Sequence, residues 1–373
     1  MGQLGNKSRL KVLQLTSLCD RICAKISIIR GNKMLLLDHE KKDIFLRASL
    51  SNQCNFNCVY CATDMGMENH TPPDMEAPLL TLDEYMKNMQ LLSQHGFKNI
   101  SFTGGEPLLC PFFQEIVEGC SSLFETLEIT TNGSMLKRYL KSVLEHIDVL
   151  KISLDSCDPL QRTLICGSKL AADTMNVIQA CCEAGIATVG LNFVYMKQNK
   201  DQLDGLIAFA GEMLRKYGTQ VYISILDLYY SPGKDLFWRD QFQNLSMLRK
   251  TLLQQGETLN HRLRFGCDSF NYRWKDVLIN MKDSISSTYR IAQCDSCNYY
   301  CQEGVYSLKH SASGWISVCP NNQKECGTLL SPGMSELTAH EIIDHYIELI
   351  NSAKKTEQSG ILFGQKNDIE VFN

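Results

Sequence analysis

Residues 186–226 read IATVGLNFVYMKQNKDQLDGLIAFAGEMLRKYGTQVYISIL and contain a predicted strand, a helix and a second strand. The first strand is the apolar, β-branched run at 186–195, and the second is VYISIL at 221–226. Between them, apolar residues recur every three or four positions from Leu203 to Tyr217, which is the spacing of one helical face. Strands joined through a helix pair in parallel with a right-handed crossover. This unit therefore predicts a parallel sheet covered by helices.

The same alternation extends towards the N-terminus. Further strands are predicted at 44–50, 99–102, 127–130 and 149–154, and further helices after residue 81, near 111–123 and near 171–184. Thr81 and Glu84 form the pattern of a capping box, which marks the start of the first of these helices. Six βα-like units between residues 44 and 228 are fewer than a closed barrel requires. We therefore predict an α/β fold: a (β/α)6 partial TIM barrel with a small C-terminal domain.

The predicted barrel divides the chain into five parts. They are an N-terminal extension (1–43), the barrel (44–228), a linker with a helix near 239–256 (229–290), a cysteine-rich domain (291–330), and a C-terminal helix and tail (331–373). In the last part, Thr338 and Glu341 indicate a capping box for a helix near 339–351.

Composition excludes several classes of protein. The chain has 373 residues, a formal net charge of −4 and a pI of about 6.1, so no basic excess indicates a nucleic-acid-binding surface. No apolar run reaches the roughly 18 residues of a membrane-spanning helix. The N-terminus lacks the apolar core of a signal peptide. We therefore expect a cytoplasmic protein with neither a nucleic-acid nor a membrane partner.

Cysteine is the unusual residue, with 17 in the chain. That density is too low for a disulfide scaffold, and in a reducing compartment clustered thiols indicate metal ligands. One cluster consists of Cys54, Cys58 and Cys61, and a second consists of Cys294, Cys297, Cys301, Cys319 and Cys326. The others are scattered and are interpreted as small core residues: Cys19, Cys23, Cys110, Cys120, Cys157, Cys166, Cys181, Cys182 and Cys267.

The first cluster directly follows the first predicted strand, as CNFNCVYC at 54–61. Three thiolates so close in sequence can bind three irons of a [4Fe–4S] cluster and leave the fourth iron open to an outside ligand. The alternative is a closed zinc site that takes its fourth ligand from elsewhere in the chain. The spacing favours iron–sulfur over zinc and leaves both open.

This motif, with an aromatic residue before its last cysteine, resembles the signature of the radical S-adenosylmethionine (SAM) enzymes. Further motifs of that family follow at predicted strand ends: Gly104-Gly105-Glu106-Pro107, Thr131-Asn132-Gly133, Ser153-Leu154-Asp155 and Asn192. In parallel α/β folds, functional residues gather at the C-terminal ends of the strands. The resemblance covers about residues 44–228. It is greatest to the branch that contains the GTP cyclase of molybdenum-cofactor biosynthesis.

The resemblance implies an enzyme in which Cys54, Cys58 and Cys61 hold a [4Fe–4S] cluster and SAM chelates the open iron. The reduced cluster would cleave SAM to a 5′-deoxyadenosyl radical, which abstracts hydrogen from a substrate. Electrons would come from a flavodoxin or ferredoxin, and the oxygen-sensitive cluster implies an anaerobic or reducing environment.

The resemblance also implies a set of SAM-binding residues. They are Tyr60, Gly104, Gly105, Glu106, Pro107, Thr131, Asn132, Ser153 and Asn192. We expect the two glycines to allow close approach of the SAM amino group, and we expect Glu106 to stabilise that group by a charged hydrogen bond.

The second cysteine cluster is interpreted through the same resemblance. Cys294 and Cys297 form a C-x2-C pair that zinc or iron–sulfur could use. The spacing from Cys301 to Cys319 resembles the auxiliary-cluster domains called SPASM and twitch, and residues 307–319 are predicted to form a β-hairpin. The resemblance implies one auxiliary [4Fe–4S] cluster on Cys294, Cys297, Cys301 and Cys319. It could be fully ligated or keep an open iron for substrate, and Cys326 could replace one ligand.

The residues at the expected substrate-binding positions distinguish between two possible functions. Arg47 matches one GTP-binding position of the cyclase branch, but Ser307 and Lys309 stand where that branch has arginines. The chain also ends in Val371-Phe372-Asn373 instead of the Gly-Gly of the cyclase. Because lysine cannot replace the arginine fork, we expect a biosynthetic enzyme that acts on a peptide or small natural product, with Arg47 and Lys309 in its substrate site. The alternatives are GTP cyclisation and a non-catalytic zinc-binding α/β protein.

Overall fold

A computed structural model gives the fold of the chain. It describes residues 34–41, 43–61, 77–230, 234–262, 269–282, 288–296, 304–319, 326–356, 361–362 and 371–372. Among the predicted metal ligands, Cys297 and Cys301 lie outside these residues. The predicted division of the chain into five parts stays a prediction.

Six parallel strands form the centre of one sheet and follow one another in sequence order. They are β1 (Phe45–Ser51), β2 (Asn99–Gly104), β3 (Thr126–Thr131), β4 (Val149–Ser153), β5 (Thr188–Tyr195) and β6 (Gln220–Asp227). Each strand pairs in parallel with the next. This arrangement confirms the predicted fold class, because an open parallel sheet of βα units is what the alternation requires.

Helices connect the six strands. They are α1 (Leu82–Gln94), α2 (Phe113–Ser121), α3 (Leu136–His146), α4 (Pro159–Cys166), α5 (Thr174–Glu183) and α6 (Leu203–Tyr217). The predicted capping box of α1 is present, with the Thr81 side chain accepting from the Glu84 amide and the Glu84 side chain accepting from the Thr81 amide. Alternate residues of β1, such as Leu46 and Ala48, are buried in the core. The intervening residues, Arg47 among them, therefore face the interior of the barrel.

The sheet continues beyond β1 through the predicted hairpin. β11 (Ser307–His310) pairs in parallel with β1 and antiparallel with β12 (Trp315–Ser317). β12 pairs in turn with β13 (Gly327–Leu329). Gly314 forms the turn of the hairpin with a φ of 87°, which favours glycine.

The sheet also continues beyond β6, in a segment where the sequence predicted a single helix. The structure has two helices, α7 (Asp235–Gln241) and α8 (Ser246–Gln255), followed by β7 (Glu257–Arg262), β8 (Ser269–Trp274) and β9 (Val277–Lys282). β9 pairs in parallel with β6, and β8 and β7 add antiparallel strands outside it. The turn between β8 and β9 consists of Lys275 and Asp276, at φ values of 52° and 66°. Because this turn lacks the usual glycine or asparagine, it carries no hairpin signal in the sequence.

The C-terminal helix α9 (Glu336–Ser352) packs against α1. Its N-cap is Ser335, whose hydroxyl accepts a hydrogen bond from the Thr338 amide at 3.1 Å. The predicted capping box at Thr338 and Glu341 is therefore wrong, because Thr338 lies within the first turn. Thr338 is followed three residues later by Glu341, whereas Ser335 is followed by Thr338, so the capping-box pattern favours the wrong position.

Residues 34–41 join the start of the barrel to the end of α9. The buried Lys41 ammonium donates to the carbonyl oxygens at the C-terminal end of α9, those of Ile350, Asn351 and Ala353. A cation at that end also interacts favourably with the helix dipole. The remaining strands form two short antiparallel pairs, β10 (Thr288–Arg290) with β14 (Lys354–Thr356) and β15 (Ile361–Leu362) with β16 (Val371–Phe372). In the described part of the chain, no helix has the length and hydropathy needed to cross a membrane.

Candidate functional site

The first cysteine cluster lies on the loop that leaves the C-terminal end of β1. Cys54, Cys58 and Cys61 are partly exposed and form no disulfide. Burial raises the pKa of Cys54 to about 11, so its thiolate requires a positive partner such as a metal ion. Within the residues that the structure describes, no three Cys, His, Asp or Glu side chains already meet as a metal site. Binding a cluster therefore requires the three thiols of this loop to turn towards one point.

Helix α4 supports the cysteine loop from one side. The amides of Asn57 and Val59 donate to the carbonyl oxygens of Cys166 and Ile165, each at 2.9 Å. Gly167 ends α4 at a φ of 59°, and a Cβ there would lie only 2.4 Å from the Asn57 carbonyl oxygen. Because real Cβ atoms do not approach so closely, only glycine fits between α4 and the loop.

A buried arginine holds α4 in place. The Arg162 side chain is 3% exposed. Its guanidinium donates to the carbonyl oxygens of Ser156, Ala171 and Ala172 at 2.7–2.8 Å. These charge-assisted bonds join the loop after β4, helix α4 and the turn before α5.

The glycine motif packs against the chain just before Cys54. A Cβ on Gly104 would lie 2.4 Å from the Ser51 carbonyl oxygen, and a Cβ on Gly105 would lie 2.2 Å from the Gln53 carbonyl oxygen. The Gly105 and Glu106 amides donate to those two oxygens, at 2.9 and 2.8 Å. The sequence predicted that the glycines leave room for SAM. The structure shows a further reason, because two backbone segments meet here with no space for a side chain.

Glu106 organises the turn after β3. Its side chain is 1% exposed, and its carboxylate accepts hydrogen bonds from the Thr131 hydroxyl at 2.6 Å, the Asn132 amide at 2.8 Å and the Leu108 amide at 3.1 Å. Burial raises the pKa of Glu106 to about 7, although these three donors act in the opposite direction. The contact with SAM stays a prediction, while the contacts present in the structure position Thr131 and Asn132. Pro107 is buried in the turn that follows.

Asn132 links that turn to the cysteine loop. Its side-chain amide donates to Asn55 Oδ1 at 2.9 Å and lies 3.8 Å from Cys54 Sγ. The side-chain amide of Asn55 donates in turn to Ser134 Oγ at 2.9 Å. The end of β3 is therefore bonded to the same loop that carries the three cysteines.

Tyr60 and Asp155 form a second link between the cysteine loop and the strand ends. The Tyr60 hydroxyl donates to Asp155 Oδ2 at 2.7 Å, and the Val194 amide donates to Asp155 Oδ1 at 2.9 Å. Burial raises the pKa of Asp155 to about 6. Ser153 and Asn192 are register partners on β4 and β5, and both are partly exposed. The predicted SAM-binding residues thus lie at neighbouring strand ends around the cysteine loop.

A buried hydroxyl in this region has no hydrogen-bond partner among the described residues. It belongs to Thr103, which is 4% exposed and directly precedes the glycine motif. Buried polar groups in proteins are normally hydrogen-bonded. The Thr103 hydroxyl is therefore a candidate contact for a bound group.

The substrate residues predicted from the sequence lie together. Arg47 and Lys309 are register partners on β1 and β11. With Lys282 at the end of β9, they surround the ring of Tyr306, at 5.8 Å for Arg47, 4.4 Å for Lys309 and 4.7 Å for Lys282. Lys309 is 1% exposed, and its Nζ lies 3.3 Å from Ser307 Oγ. We call Arg47, Lys282, Lys309 and Tyr306 the cation cluster.

Two members of the cation cluster, Arg47 and Lys309, were predicted from the sequence, and Lys282 and Tyr306 were not. Lys282 is the last residue of a strand that was not predicted, and Tyr306 directly precedes the hairpin. Neither residue lies in a sequence motif. The two come together only because the fold brings β9 and β11 to the same ring inside the barrel.

The second cysteine cluster is only partly described. Cys294 and Cys319 are partly buried against the core, and Cys326, directly before β13, is 4% exposed. Cys297 and Cys301 lie outside the described residues. The auxiliary cluster and the part that Cys326 plays in it stay predictions.

Known proteins resemble this chain in sequence. The profile of the Radical SAM superfamily matches residues 48–210. A GTP 3′,8-cyclase of Haemophilus influenzae (strain PittGG) is 27% identical over 293 residues, which cover 78% of this chain and 81% of the relative. One of Aeromonas hydrophila is 29% identical over 220 residues, with 57% of this chain and 61% of the relative covered. A probable GTP 3′,8-cyclase of Methanocella arvoryzae is 32% identical over 179 residues, with 47% and 56% covered.

This chain thus spans about four fifths of the Haemophilus relative but less than two thirds of the other two. These relatives contradict the predicted action on a peptide or small natural product. They favour GTP cyclisation, which the sequence left as an alternative.

Solved structures resemble the fold. Streptococcus suis SuiB bound to its precursor peptide SuiA has a TM-score of 0.55 at 15% identity, with 93% of this chain and 71% of that chain covered. SuiB bound to S-adenosylmethionine has a TM-score of 0.52 at 16% identity, with 74% and 60% covered. At such low identity, the likeness shows the fold alone.

The described residues fit the cofactors of this superfamily, which are SAM and a [4Fe–4S] cluster. Three thiols lie on one partly exposed loop, the strand-end motifs are hydrogen-bonded to that loop, and the buried Thr103 hydroxyl lacks a partner among the described residues. Enzymes of this class use one-electron reductants such as flavodoxin. Residues 48–210 of this chain therefore form a radical SAM domain, and with its similarity to GTP 3′,8-cyclases the chain is an enzyme of the radical SAM class.

Proposed function

We propose that this radical SAM enzyme acts on GTP and joins its ribose C3′ to its guanine C8, the reaction that its relatives are named for. The observation that carries the proposal is the cation cluster, in which Arg47, Lys282 and Lys309 surround Tyr306 inside the barrel. A triphosphate is strongly negative, and cations on three strands match it in charge. The similarity to GTP 3′,8-cyclases supports the same substrate.

The site has two parts with separate tasks. When bound, the iron–sulfur cluster and SAM supply a 5′-deoxyadenosyl radical that can remove a hydrogen atom from the substrate. The cysteine loop would hold these cofactors at the C-terminal strand ends, and the cation cluster would hold the triphosphate deeper in the barrel. Enclosure in the barrel excludes water from the radical. We also propose that a flavodoxin or ferredoxin supplies the electrons.

Lysine at position 309 changes how phosphate would be held, without removing the charge. A lysine presents a point charge, whereas an arginine presents a planar fork with several donors. In the strand register that contains Arg47 and Lys309, the Glu128 carboxylate accepts a hydrogen bond from Ser101 at 2.9 Å and pairs with Lys151 at 2.7 Å. Lys282 adds a second ammonium to the same ring. We therefore expect phosphate binding that depends on total charge more than on geometry.

We further propose that Cys294, Cys297, Cys301 and Cys319 hold an auxiliary [4Fe–4S] cluster. Cys294 and Cys319 are both partly buried against the same core. Cys319 follows β12, and β12 pairs with the strand that carries Lys309. An auxiliary cluster here would therefore lie near the proposed substrate site.

The substrate is tested with GTP that carries deuterium at C3′. Reconstituted enzyme, SAM and dithionite should yield 5′-deoxyadenosine with one deuterium, because the hydrogen removed from the substrate ends in that product. The nucleotide product should have lost the deuterium. Mass spectrometry measures both. Formation of unlabelled 5′-deoxyadenosine alone, with the GTP recovered intact, would reject GTP as the substrate.

Replacing Lys309 by methionine should weaken GTP binding by about 10- to 100-fold, because each tenfold loss corresponds to about 1.4 kcal/mol and a charge-assisted bond contributes that much or more. Lys282→Met should act in the same direction. Equilibrium dialysis with labelled GTP measures the affinity. The control is Lys275→Met, because that exposed lysine contacts Asp204 and Trp274 instead. Unchanged affinity in Lys309→Met, or an equal loss in the control, would contradict the cation cluster as the phosphate site.

A further inference from the structure

Lys234 contacts the cysteine loop, although it belongs to no motif and lies outside the cation cluster. Its ammonium donates to the Val59 carbonyl oxygen at 3.0 Å. Val59 directly follows Cys58 and lies two residues before Cys61. A positive charge is therefore fixed on the loop segment between two of the proposed cluster ligands.

The helix that begins after Lys234 packs against the same loop. Lys234 is the N-cap of α7, and its contact with the loop is partly buried. Trp238 of α7 is 2% exposed and lies in a buried apolar cluster with Phe56 of the loop. Cys54 and Cys58 pack against this apolar cluster. Charges act on one another more strongly in such surroundings than in water, because the effective dielectric constant is lower.

Lys234 is opposite in sign to two buried carboxyl groups of this region. The Asp155 carboxylate accepts a hydrogen bond from Tyr60 of the loop. The Glu106 carboxylate accepts one from the Asn132 amide, in the turn that is bonded to the loop. Each of these two acidic residues is 1% exposed. Negative charge there opposes the addition of an electron to a cluster held by the loop, whereas a fixed ammonium favours it.

We propose that the Lys234 ammonium stabilises the reduced form of the cluster held by Cys54, Cys58 and Cys61, and so raises its reduction potential. Reduction adds one electron, taken from a reductant such as flavodoxin, and therefore one negative charge. The net charge of a cluster and its surroundings is one of the factors that set its potential. Lys234 is a positioning residue that acts through Val59 and through its charge. The inference rests on the loop cluster of the proposed function and is independent of GTP.

A redox titration of the reconstituted holoenzyme, followed by electron paramagnetic resonance with SAM absent, tests this proposal. The signal that disappears when Cys54, Cys58 and Cys61 are replaced by alanine identifies the loop cluster. Lys234→Met and Lys234→Gln should retain their iron and show a lower midpoint potential than the wild type. Lys234→Arg keeps the charge and should stay close to the wild type. Because glutamine keeps a hydrogen-bond donor, it separates the effect of the charge from that of the bond to Val59.

Lys197→Met is the matched control. The exposed Lys197 ammonium pairs with Asp240 at 3.1 Å, near the other end of α7. Its replacement removes a lysine contact with the same helix and leaves the charge beside Val59 in place. The midpoint potential of this variant should therefore equal that of the wild type.

Each outcome decides the proposal. An unchanged midpoint potential in Lys234→Met at full iron content overturns it, as does a glutamine variant that matches the wild type or a control that shifts as far as the methionine variant. If the methionine and glutamine variants lose the loop cluster while the arginine variant keeps it, the need for a positive charge is supported through cluster retention. Loss of the cluster from all three would show that Lys234 serves only in packing, and would overturn the proposal. A wild type without the loop signal would instead reject the loop cluster itself.

Discussion

Replacing Cys54, Cys58 and Cys61 together by alanine is expected to abolish 5′-deoxyadenosine formation. The three thiols are the only protein ligands that we assign to the cluster, so the variant has nothing to hold its irons. With the proposed auxiliary cluster intact, the iron content should fall from about eight to about four per chain. Iron and sulfide analysis after anaerobic reconstitution measures the change, and chromatography of the SAM products measures the activity.

A triple variant of core cysteines is the matched control. Cys120, Cys181 and Cys182 are buried in α2 and α5, away from the cysteine loop. Their replacement by alanine should leave the iron content as in the wild type, although it can lower stability by creating small cavities. Loss of all iron when the loop cysteines are replaced, or retention of all of it, would contradict two independent clusters.

Replacing Gly105 by alanine is the second change with a large expected effect. The added Cβ would lie 2.2 Å from the Gln53 carbonyl oxygen and 2.9 Å from the Cys54 amide nitrogen. Both are backbone atoms, so the start of the cysteine loop must move. Overpacking of this kind costs about 1–3 kcal/mol. It should also displace Glu106, whose amide bonds to Gln53, and with it the turn after β3. We expect at least a 100-fold loss of SAM cleavage, together with a lower thermal midpoint.

Gly211→Ala provides the comparison for this substitution. Gly211 lies within α6, where an added Cβ would meet only the flexible Arg215 side chain at 3.2 Å and Val277 at 3.8 Å. Alanine is favoured over glycine within helices, so its stability should be unchanged or slightly raised. SAM cleavage should match the wild type. If Gly105→Ala also cleaved SAM at the wild-type rate, the backbone contact between the glycine motif and the loop would not matter for function.

Local patterns predicted the central strands well. Each buried parallel strand is a short apolar run, and each predicted strand end lies within two residues of the observed one. The capping box at Thr81 was equally clear. The patterns failed where the local signal is absent or misleading. The β8–β9 turn uses Lys275 and Asp276 instead of glycine or asparagine, and α9 begins at Ser335, which has no capping-box partner.

The cysteine loop was predictable because its ligands are close in sequence. The residues that hold the loop in place could not be predicted, because they lie far from it along the chain. Cys166 and Arg162 act from α4, roughly 100 residues after the loop, and neither belongs to a motif. The internal bonds of Glu106 were missed for the same reason, because its donors come from the turn after β3.

The predicted substrate class was wrong because each position was compared separately. Ser307 and Lys309 in place of arginines suggested a weakened phosphate site. The structure shows that Lys282 of β9 reaches the same Tyr306 ring as Lys309. Positive charge contributed by a different strand cannot be recognised until the strand order is known. Arg→Lys differences in one hairpin are therefore poor grounds for rejecting a phosphorylated substrate.

We propose that the loop with Cys54, Cys58 and Cys61 holds a cluster that cleaves SAM. The most direct measurement is the formation of 5′-deoxyadenosine by anaerobically reconstituted wild-type enzyme, given SAM and dithionite. The wild type should yield 5′-deoxyadenosine and methionine in equal amounts, and the variant without the three loop cysteines should yield neither. A wild-type enzyme that holds its full iron content and yields no 5′-deoxyadenosine would show that this loop does not hold a SAM-cleaving cluster.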